Sequence, residues 1–264
     1  MAHYPQLSTG CLAQHPFRKR RRARTLLNAG EGGSRFVFGA PEAGEVEWDL
    51  PYVGLTDGEA AALTAFFREC EGRLLPFVFA DPFANLIARS EEFHLAPWQS
   101  DPLLSWSAGI DDPMGTARAC RVINGGAAPQ AVRQNVNIPG DYGTCFSVWV
   151  RSASQTHIEV SRAAGAGVAT ATAAAGPSWT RVEVASRLTG SAVPSTVSIL
   201  FPAGATVDLF GAQLEAQPQA SGYMKTSGVS GVYAEARFAE DSLPVTGEAP
   251  GSWSARVRIR AREG

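Results

Sequence analysis

The chain has 264 residues, enough for two domains that each bury a core without metal or disulfide support. Its formal net charge is -2, with 18% charged and 45% hydrophobic residues, which excludes an overall electrostatic attraction to nucleic acid or anionic membranes. The first residues lack the apolar core of a signal peptide, and no run approaches the ~18 apolar residues of a membrane span. We therefore expect a globular protein made in the cytosol, with no membrane span.

A β-hairpin is predicted near the N-terminus. Residues 24–28 and 34–38 are short apolar runs on either side of a glycine-rich turn at 30–33. Residues 45–52 then alternate acidic and apolar side chains, which is typical of a half-buried strand.

The clearest helix signal covers residues 57–71. Thr56 and Glu59 have the spacing of a capping box, in which each side chain accepts a hydrogen bond from a free backbone N–H. Apolar residues follow at helical spacing, and Gly72 is placed to end the helix. The apolar run 77–79 follows as a short strand and stops at Asp81 and Pro82.

From about residue 86 the chain becomes rich in Ala, Gly, Ser and Thr, with alternating apolar positions and no second helix signal. Evenly spaced short strands of this kind predict a β-sandwich of the jelly-roll type. The candidate strands are 103–108, 117–123, 132–137, 144–151, 157–162, 180–185, 196–201 and 207–214. Residues 163–176 are read either as a thin hairpin turning at 165–167 or as a disordered loop, and the hairpin is favoured.

The end of the chain returns to a different pattern. A Gly/Ser linker at 227–231 precedes two strands, 232–238 and 253–262, and the last alternates apolar residues with arginine. A last strand with one apolar side must bury that side, so it needs a sheet to pair with. We therefore predict a mainly β protein in which residues 1–84 and 225–264 form one discontinuous β-barrel or sandwich domain with one helix, and residues 86–223 form an inserted jelly-roll sandwich.

Basic residues are concentrated in two rows. The first is a run along one predicted strand, and the second occupies alternate positions of the last strand; the residues are Arg18, Lys19, Arg20, Arg21 and Arg22, and Arg256, Arg258 and Arg260. These rows are either surfaces that face an acidic partner or solvated strand faces. Sequence-specific nucleic-acid binding is not expected, because no recognition helix or aromatic-interleaved groove accompanies them.

Catalytic and metal-binding patterns were not found in the sequence. The four histidines are scattered, and the four cysteines show no metal-ligand spacing. Glu91 and Glu92 could belong to a calcium site, but a polar loop is the favoured interpretation. We predict a protein that is not an enzyme and needs no cofactor and no metal.

Four tryptophans lie in the predicted insertion: Trp98, Trp106, Trp149 and Trp179. Exposed aromatic rings stack against sugars, although most tryptophans in such strands belong to the core. Trp98 and Trp106 are the preferred glycan-stacking candidates because they flank a loop rich in Ser, Asp and Pro.

Two sets of residues resemble known proteins. The first comprises Arg24-Thr25, WDLPYVGLTDGE at 48–59 and FVFADP at 77–82; it resembles the N-terminal part of distal and minor tail proteins of tailed phages, including those of gene transfer agents. The second is similar to jelly-roll modules of phage tail and tail-fibre proteins. It opens on NLIARSEEF at 85–93 with Trp98, and it closes on GAQLE at 211–215 with Ser221 and Tyr223.

The resemblance implies a structural protein of the virion. Proteins of this family form a ring, commonly hexameric, at the end of the tail tube through a β-barrel hub domain, and some carry an outward carbohydrate-binding-like sandwich. The implied partners are copies of the chain itself, the tail tube protein, tail-tip hub or fibre proteins, and a host surface polysaccharide. The basic rows would then face neighbouring subunits or the tube lumen.

Two alternatives remain open at this point. The chain could be a lectin-like carbohydrate-binding protein, although its divided outer domain does not favour this. It could also be a glycan depolymerase, which would need two carboxylates about 5–10 Å apart in a groove. No pair of carboxylates in the sequence meets that description.

Overall fold

The computed structural model describes residues 1–39, 44–189 and 193–262. The chain divides into two compact units. Unit 1 consists of Met1–Ser8, Ala13–Phe79 and Tyr233–Gly264, and unit 2 of Thr9–Leu12 and Ala80–Val232. The mainly β fold class predicted from the sequence is confirmed.

Nearly all elements of the described residues are β-strands, and α1 is an α-helix. The first are β1 (Arg18–Arg22), β2 (Thr25–Ala29), β3 (Arg35–Gly39), β4 (Glu45–Leu55), α1 (Asp57–Glu69) and β5 (Phe77–Ala80). Next come β6 (Gln99–Ser100), β7 (Leu104–Ile110), β8 (Ala119–Asn124), β9 (Gln130–Val136), β10 (Thr144–Arg151), β11 (Thr156–Ala164), β12 (Gly167–Ala175), β13 (Thr180–Ser186), β14 (Ser195–Phe201) and β15 (Thr206–Glu215). The last are β16 (Val232–Phe238), β17 (Val245–Ala249) and β18 (Ser252–Arg262).

Unit 1 is built on a six-stranded sheet with the order β1, β4, β18, β16, β5, and β17 pairs with β18. The predicted closing strand is confirmed, because β18 lies beside β4 in the middle of the sheet. Val257 and Ile259 are buried opposite Leu50 and Trp48, as the period-2 pattern of both strands requires. β17 was not predicted, since its short and mostly exposed sequence has no apolar alternation.

The core of unit 1 is an aromatic cluster against which α1 packs. Tyr4 and Phe66 meet edge to face at 5.7 Å between ring centroids, and Phe66 also contacts Phe77 and Phe238. The predicted capping box is present: the Glu59 N–H donates to Thr56 Oγ1, and the Thr56 N–H donates to Glu59 Oε2 at 2.9 Å. Across the described residues, no helix has the length and apolar character needed to cross a membrane.

Unit 2 is a sandwich of two five-stranded antiparallel sheets, ordered β13, β10, β15, β8, β7 and β12, β11, β14, β9, β6. The residues that face inward between the sheets include Phe146, Val160, Ile199 and Leu209, and all four are fully buried. The predicted hairpin at 163–176 is confirmed, because β11 and β12 pair across a turn at 165–166.

The core of this sandwich contains the charged side chain of Arg162. The Arg162 guanidinium is completely buried and donates to the carbonyls of Pro139 and Tyr142 at 2.6 and 3.1 Å and to Ser195 Oγ at 3.1 Å. Burial lowers its pKa to about 10, so the group remains charged at neutral pH.

A hydrogen-bonded cluster joins the beginning and the end of unit 2. Its centre is Asn85, whose Nδ2 donates to the carbonyls of Ala212 and Met224 at 2.8 and 3.1 Å. Its Oδ1 accepts from the N–H groups of Ile87 and Leu214, both at 3.0 Å. The buried amide thus has four partners. Two of them, Ala212 and Leu214, lie on β15; Ile87 lies on the same segment as Asn85, and Met224 lies in the segment that follows β15.

Ser90, Gln213 and Tyr223 extend this cluster through further hydrogen bonds. We call the four residues Asn85, Ser90, Gln213 and Tyr223 the closing interlock. Ser90 Oγ lies 2.7 Å from Tyr223 Oη, and Gln213 Oε1 accepts from the Met224 N–H at 2.7 Å. The Tyr223 ring lies so close to Gly211 that a Cβ at that position would come within 3.0 Å of it, and Gly211 has a φ of +66°.

The two chain segments at the ends of unit 2 are adjacent, as predicted. The Asp81 N–H donates to the Gly231 carbonyl and the Gly231 N–H to the Asn85 carbonyl, both at 2.8 Å. The domain bounds predicted from the sequence, 1–84 with 225–264 for one domain and 86–223 for the other, remain a prediction.

Replacement of Asn85 should destabilise the protein strongly. We expect Asn85→Ala to lower the free energy of unfolding by ~2–4 kcal/mol, because backbone groups of Leu214, Ile87 and Ala212 lose their partner inside the protein. The measurement is urea unfolding followed by tryptophan fluorescence. Asn135→Ala is the matched control, since its exposed amide only accepts from Thr196 Oγ1, and it should cost less than ~0.5 kcal/mol. Equal losses for the two variants would contradict the role of the interlock.

The Glu59 carboxylate should make the stability of the protein sensitive to acid. Burial raises its pKa, but hydrogen bonds from Thr56 and Ser8 outweigh this and lower the pKa from 4.5 to about 2. Because the folded-state pKa is the lower one, the stabilisation is present above pH 4.5 and is lost as the pH falls toward 2. We expect Glu59→Gln to remove ~1–2 kcal/mol of the acid dependence in that range. Thermal unfolding at a series of pH values tests this, and an unchanged pH profile would refute it.

Candidate functional site

The two preferred tryptophans are not both accessible. Trp98 is only 6% exposed; its ring packs on Phe93 at 5.2 Å, and its Nε1 donates to the Arg89 carbonyl at 2.9 Å. Trp98 as a glycan-stacking residue was therefore wrong, because the ring is part of the core. Trp106 is half-buried and lies parallel to Phe93 at 6.1 Å, so one ring face is covered. Its role stays a prediction.

The other two tryptophans carry arginines on their faces. Arg151 lies over Trp179 at 4.6 Å from the ring centroid, and Arg181 over Trp149 at 5.8 Å. Both rings are half-buried and lie on the outer side of the sheet that contains β10. Such cation–π contacts hold a guanidinium flat against an aromatic surface.

A row of charged residues crosses the same outer surface. Arg121 on β8, Asp208 on β15 and Arg151 on β10 are direct register partners on three adjacent strands. Arg121 binds the Asp208 carboxylate with two hydrogen bonds of 2.7 and 3.2 Å, and Arg151 binds Oδ2 of the same carboxylate at 2.9 and 3.1 Å. We call these three residues the Arg–Asp–Arg row.

The exposure of the row is graded. The Asp208 side chain is 6% exposed, whereas Arg121 and Arg151 are 43% and 25% exposed. Asp208 therefore lies beneath the two guanidinium groups and holds them in place, and part of each fork faces outward. Trp179 adds an aromatic ring at one end, and Ser107, the register partner of Arg121, adds an exposed hydroxyl at the other. Planar donors beside a ring can bind the hydroxyl groups and the apolar face of a sugar.

This row could not be found by sequence pattern. Arg121, Asp208 and Arg151 are separated from one another by 30 to 87 positions, and their alignment depends on the register of three strands. The available signal was an acidic residue, Asp208, placed between the apolar residues Val207 and Leu209 of β15.

The two predicted basic rows meet on one surface of unit 1. β1 and β18 flank β4, so that Arg18, Arg20 and Arg22 lie on one side of a central acidic strand and Arg256, Arg258 and Arg260 on the other. The acidic residues between them are Glu45, Glu47 and Asp49. We call this surface, which includes Arg262 at the end of β18, the basic face.

Not every basic residue of the first run belongs to this face. Lys19 is the register partner of buried Trp48 and lies 5.6 Å from its ring centroid, on the opposite side of the sheet. Arg21 has the same strand parity as Lys19 and is paired with buried Val46. The run Arg18–Arg22 is therefore divided between two surfaces by the period of the strand.

Two arginines of the basic face are bound by the acidic row. Arg22 binds Glu47 at 2.7 Å, and Arg256 Nε donates to Asp49 Oδ1 at 2.7 Å. The Arg256 hydrogen bond is the main cause of a lowered Asp49 pKa, and Arg258 and Arg18 add to it. A groove of about 150 Å³ runs between these side chains and is lined by Arg18, Arg20, Arg22, Glu47, Asp49 and Arg258.

The calcium interpretation of Glu91 and Glu92 finds no support. The Glu91 carboxylate binds Arg118 and Lys225, both at 2.7 Å, and accepts from Tyr223 Oη at 3.0 Å. Glu92 pairs with Arg89. Within residues 1–39, 44–189 and 193–262, no group of three or more His, Cys, Asp or Glu side chains could hold a metal ion.

No family model and no curated protein matches the chain. Among solved structures, it is similar to TmCBM61 in complex with β-1,4-galactotriose, with 12% identity and a TM-score of 0.39 over 49% of this chain and 97% of that one. It is also similar to the C-terminal family 22 carbohydrate-binding module of Clostridium thermocellum Xyn10B, with 17% identity and a TM-score of 0.42 over 54% and 97%. A third is the enzymatically active domain of bacteriophage CBA120 tailspike protein 4, with 8% identity and a TM-score of 0.39 over 52% and 22%. At these values, the similarities assign no function to the chain.

Proposed function

We propose that unit 2 is a non-catalytic carbohydrate-binding module and that it takes its ligand on the Arg–Asp–Arg row. The observation that carries this proposal is the row itself: two guanidinium groups fixed by one buried carboxylate, next to the Trp179 ring. This differs from the sequence-based site at Trp98 and Trp106, which lies elsewhere on the sandwich.

The chemistry of the row supports the binding of a sugar. A guanidinium has five N–H donors in a fixed plane, and Arg121 and Arg151 each use only Nε and Nη2 on Asp208. Because Asp208 and Trp179 already hold the arginines in place, little side-chain entropy would be lost when a ligand binds. The row carries one surplus positive charge, which favours sugars that bear a carboxylate or another acidic group.

We propose a second role for the whole chain, as a structural component of a phage tail tip. In this role unit 1 forms the ring-building hub, commonly a hexamer, that contacts the tail tube and the tip or fibre proteins in the virion. The resemblance of residues 24–82 to distal and minor tail proteins supports it, and so does the hairpin of β2 and β3. That hairpin exposes five large apolar side chains by more than half: Leu26, Leu27, Phe36, Val37 and Phe38.

The exposed hairpin favours assembly over an isolated monomer. An isolated two-stranded hairpin is marginally stable in water, and contiguous apolar patches on monomers are usually interaction sites. A neighbouring subunit that covered Leu27 and Val37, which are cross-strand partners, would remove this surface from water. Both roles are compatible, since a ring-building unit can carry a sugar-binding module.

Loss of the row should weaken glycan binding. We expect Arg121→Ala and Trp179→Ala each to lower the affinity for a glycan identified on an array by at least ~10-fold, because each removes donors or ring surface from the row. Arg133→Ala is the matched control: it has the same exposure, 42% against 43%, and a similar ion pair with Asp101, but it lies on the other sheet. Titration calorimetry gives the affinities. Equal affinity of the Arg121 and Arg133 variants, or no bound glycan at all, would contradict the proposal.

A charge in the hairpin should prevent assembly. We expect Val37→Asp to raise the protein concentration needed for oligomer formation by at least ~10-fold, because a buried unpaired carboxylate is costly. Val168→Asp is the control, since Val168 on β12 is 61% exposed and Val37 is 62% exposed. Sedimentation velocity measures the masses, and electron microscopy shows whether rings form. A wild-type protein that stays monomeric would refute the structural role and leave the sugar-binding role intact.

A further inference from the structure

We propose that the basic face of unit 1 binds the phosphate backbone of a nucleic-acid strand without reading its sequence. This goes beyond both proposed roles, which concern the glycan surface of unit 2 and the apolar hairpin. It concerns the outward side chains of β1, β4 and β18.

The first argument is the geometry of the arginine rows. Side chains two positions apart on one strand lie about 6.7 Å from each other, and strands are about 4.8 Å apart in a sheet. The rows on β1 and β18 are therefore about 10 Å apart, with β4 between them. Regular spacing of single positive charges along two lines suits a linear polymer that carries one negative charge per repeat.

The second argument is the height of the charges above the sheet. The Arg22 and Arg256 side chains are 52% and 54% exposed, whereas their partners Glu47 and Asp49 are 20% and 17% exposed. A ligand that approaches the face therefore meets guanidinium groups before carboxylates. Among the described residues of this face, seven arginines lie against Glu45, Glu47, Asp49 and Glu240, a surplus of three positive charges.

The third argument is that carboxylates hold three of the arginines in position: Glu47 binds Arg22, Asp49 binds Arg256 and Glu240 binds Arg258. Arg22, Arg256 and Arg258 are each bound by a carboxylate on one side of the fork, so their conformations are restricted before a ligand arrives. Arg18 and Arg20 line the same groove, and neither has an ion pair with a carboxylate within the described part of the chain. These two residues are the ones we expect to contact phosphate most directly.

The residue types on this face favour phosphate over bases. Every cation on it is an arginine, whose planar fork binds phosphate in a bidentate way. The outward positions of β1 and of residues 45–51 and 256–262 carry no aromatic ring on which a base could stack. Binding would therefore be independent of sequence and strongly dependent on salt.

The test uses the full-length protein and a fluorescently labelled oligothymidylate at several salt concentrations. The affinity of wild type should fall linearly on a log–log plot, with a slope of about -0.7 for each phosphate neutralised. We expect Arg18→Gln/Arg20→Gln to weaken binding at low salt by at least ~10-fold and to make the slope shallower by about 1.4. Arg260→Gln, on the other row, should weaken binding as well.

Arg21→Gln is the decisive control, because Arg21 lies between Arg20 and Arg22 on the same strand but belongs to the opposite surface. It should change the affinity by less than about twofold, as should Arg121→Ala on unit 2. Circular dichroism melting establishes that each variant is folded. Equal effects of Arg20→Gln and Arg21→Gln, no binding of the oligonucleotide by wild type, or tighter binding of polyglutamate or hyaluronate would each overturn the proposal.

Discussion

The four hydrogen bonds of the Asn85 amide are the constraint on which unit 2 depends. They join the segment that opens the unit to β15 and to the segment that closes it. β15 lies in the middle of its sheet, between β10 and β8. A buried amide with every donor and acceptor satisfied tolerates no shift of its partners, since a shift would leave polar groups unpaired in the core. Asn85 therefore helps to fix the register of the strand that carries Asp208.

The interlock contains residues from both phrases of the sequence that resemble phage tail modules. The opening phrase contains Asn85 and Ser90, and the closing phrase contains Gln213 and Tyr223, which are their partners or neighbours in space. The residues that carry the resemblance thus perform a structural task. In this chain they close the sandwich, and the Arg–Asp–Arg row, where we propose ligand binding, consists of other residues.

Both units align arginines on either side of an acidic strand. In unit 1 that strand is β4, with Glu45, Glu47 and Asp49, and in unit 2 it is β15, where Asp208 lies between the two arginines. Opposite charges on neighbouring strands stabilise a sheet modestly and fix the side chains that take part. The two surfaces differ in their surplus charge and in the presence of an aromatic ring, which is why we propose a sugar as the ligand of one and a polyanion as the ligand of the other.

The sequence by itself determined the elements that local chemistry dictates. The capping box of Thr56 and Glu59, the hairpin of β2 and β3, the alternation of β4 and β18, and the strands of the sandwich follow from hydrogen-bonding capacity and from the period of two. The tertiary structure decided what depends on contacts between distant residues. It buried Trp98, separated Lys19 and Arg21 from their neighbours, and brought Arg121, Asp208 and Arg151 into line. The physical reason is that strand register and burial are set by packing across the whole sheet, which no window of sequence contains.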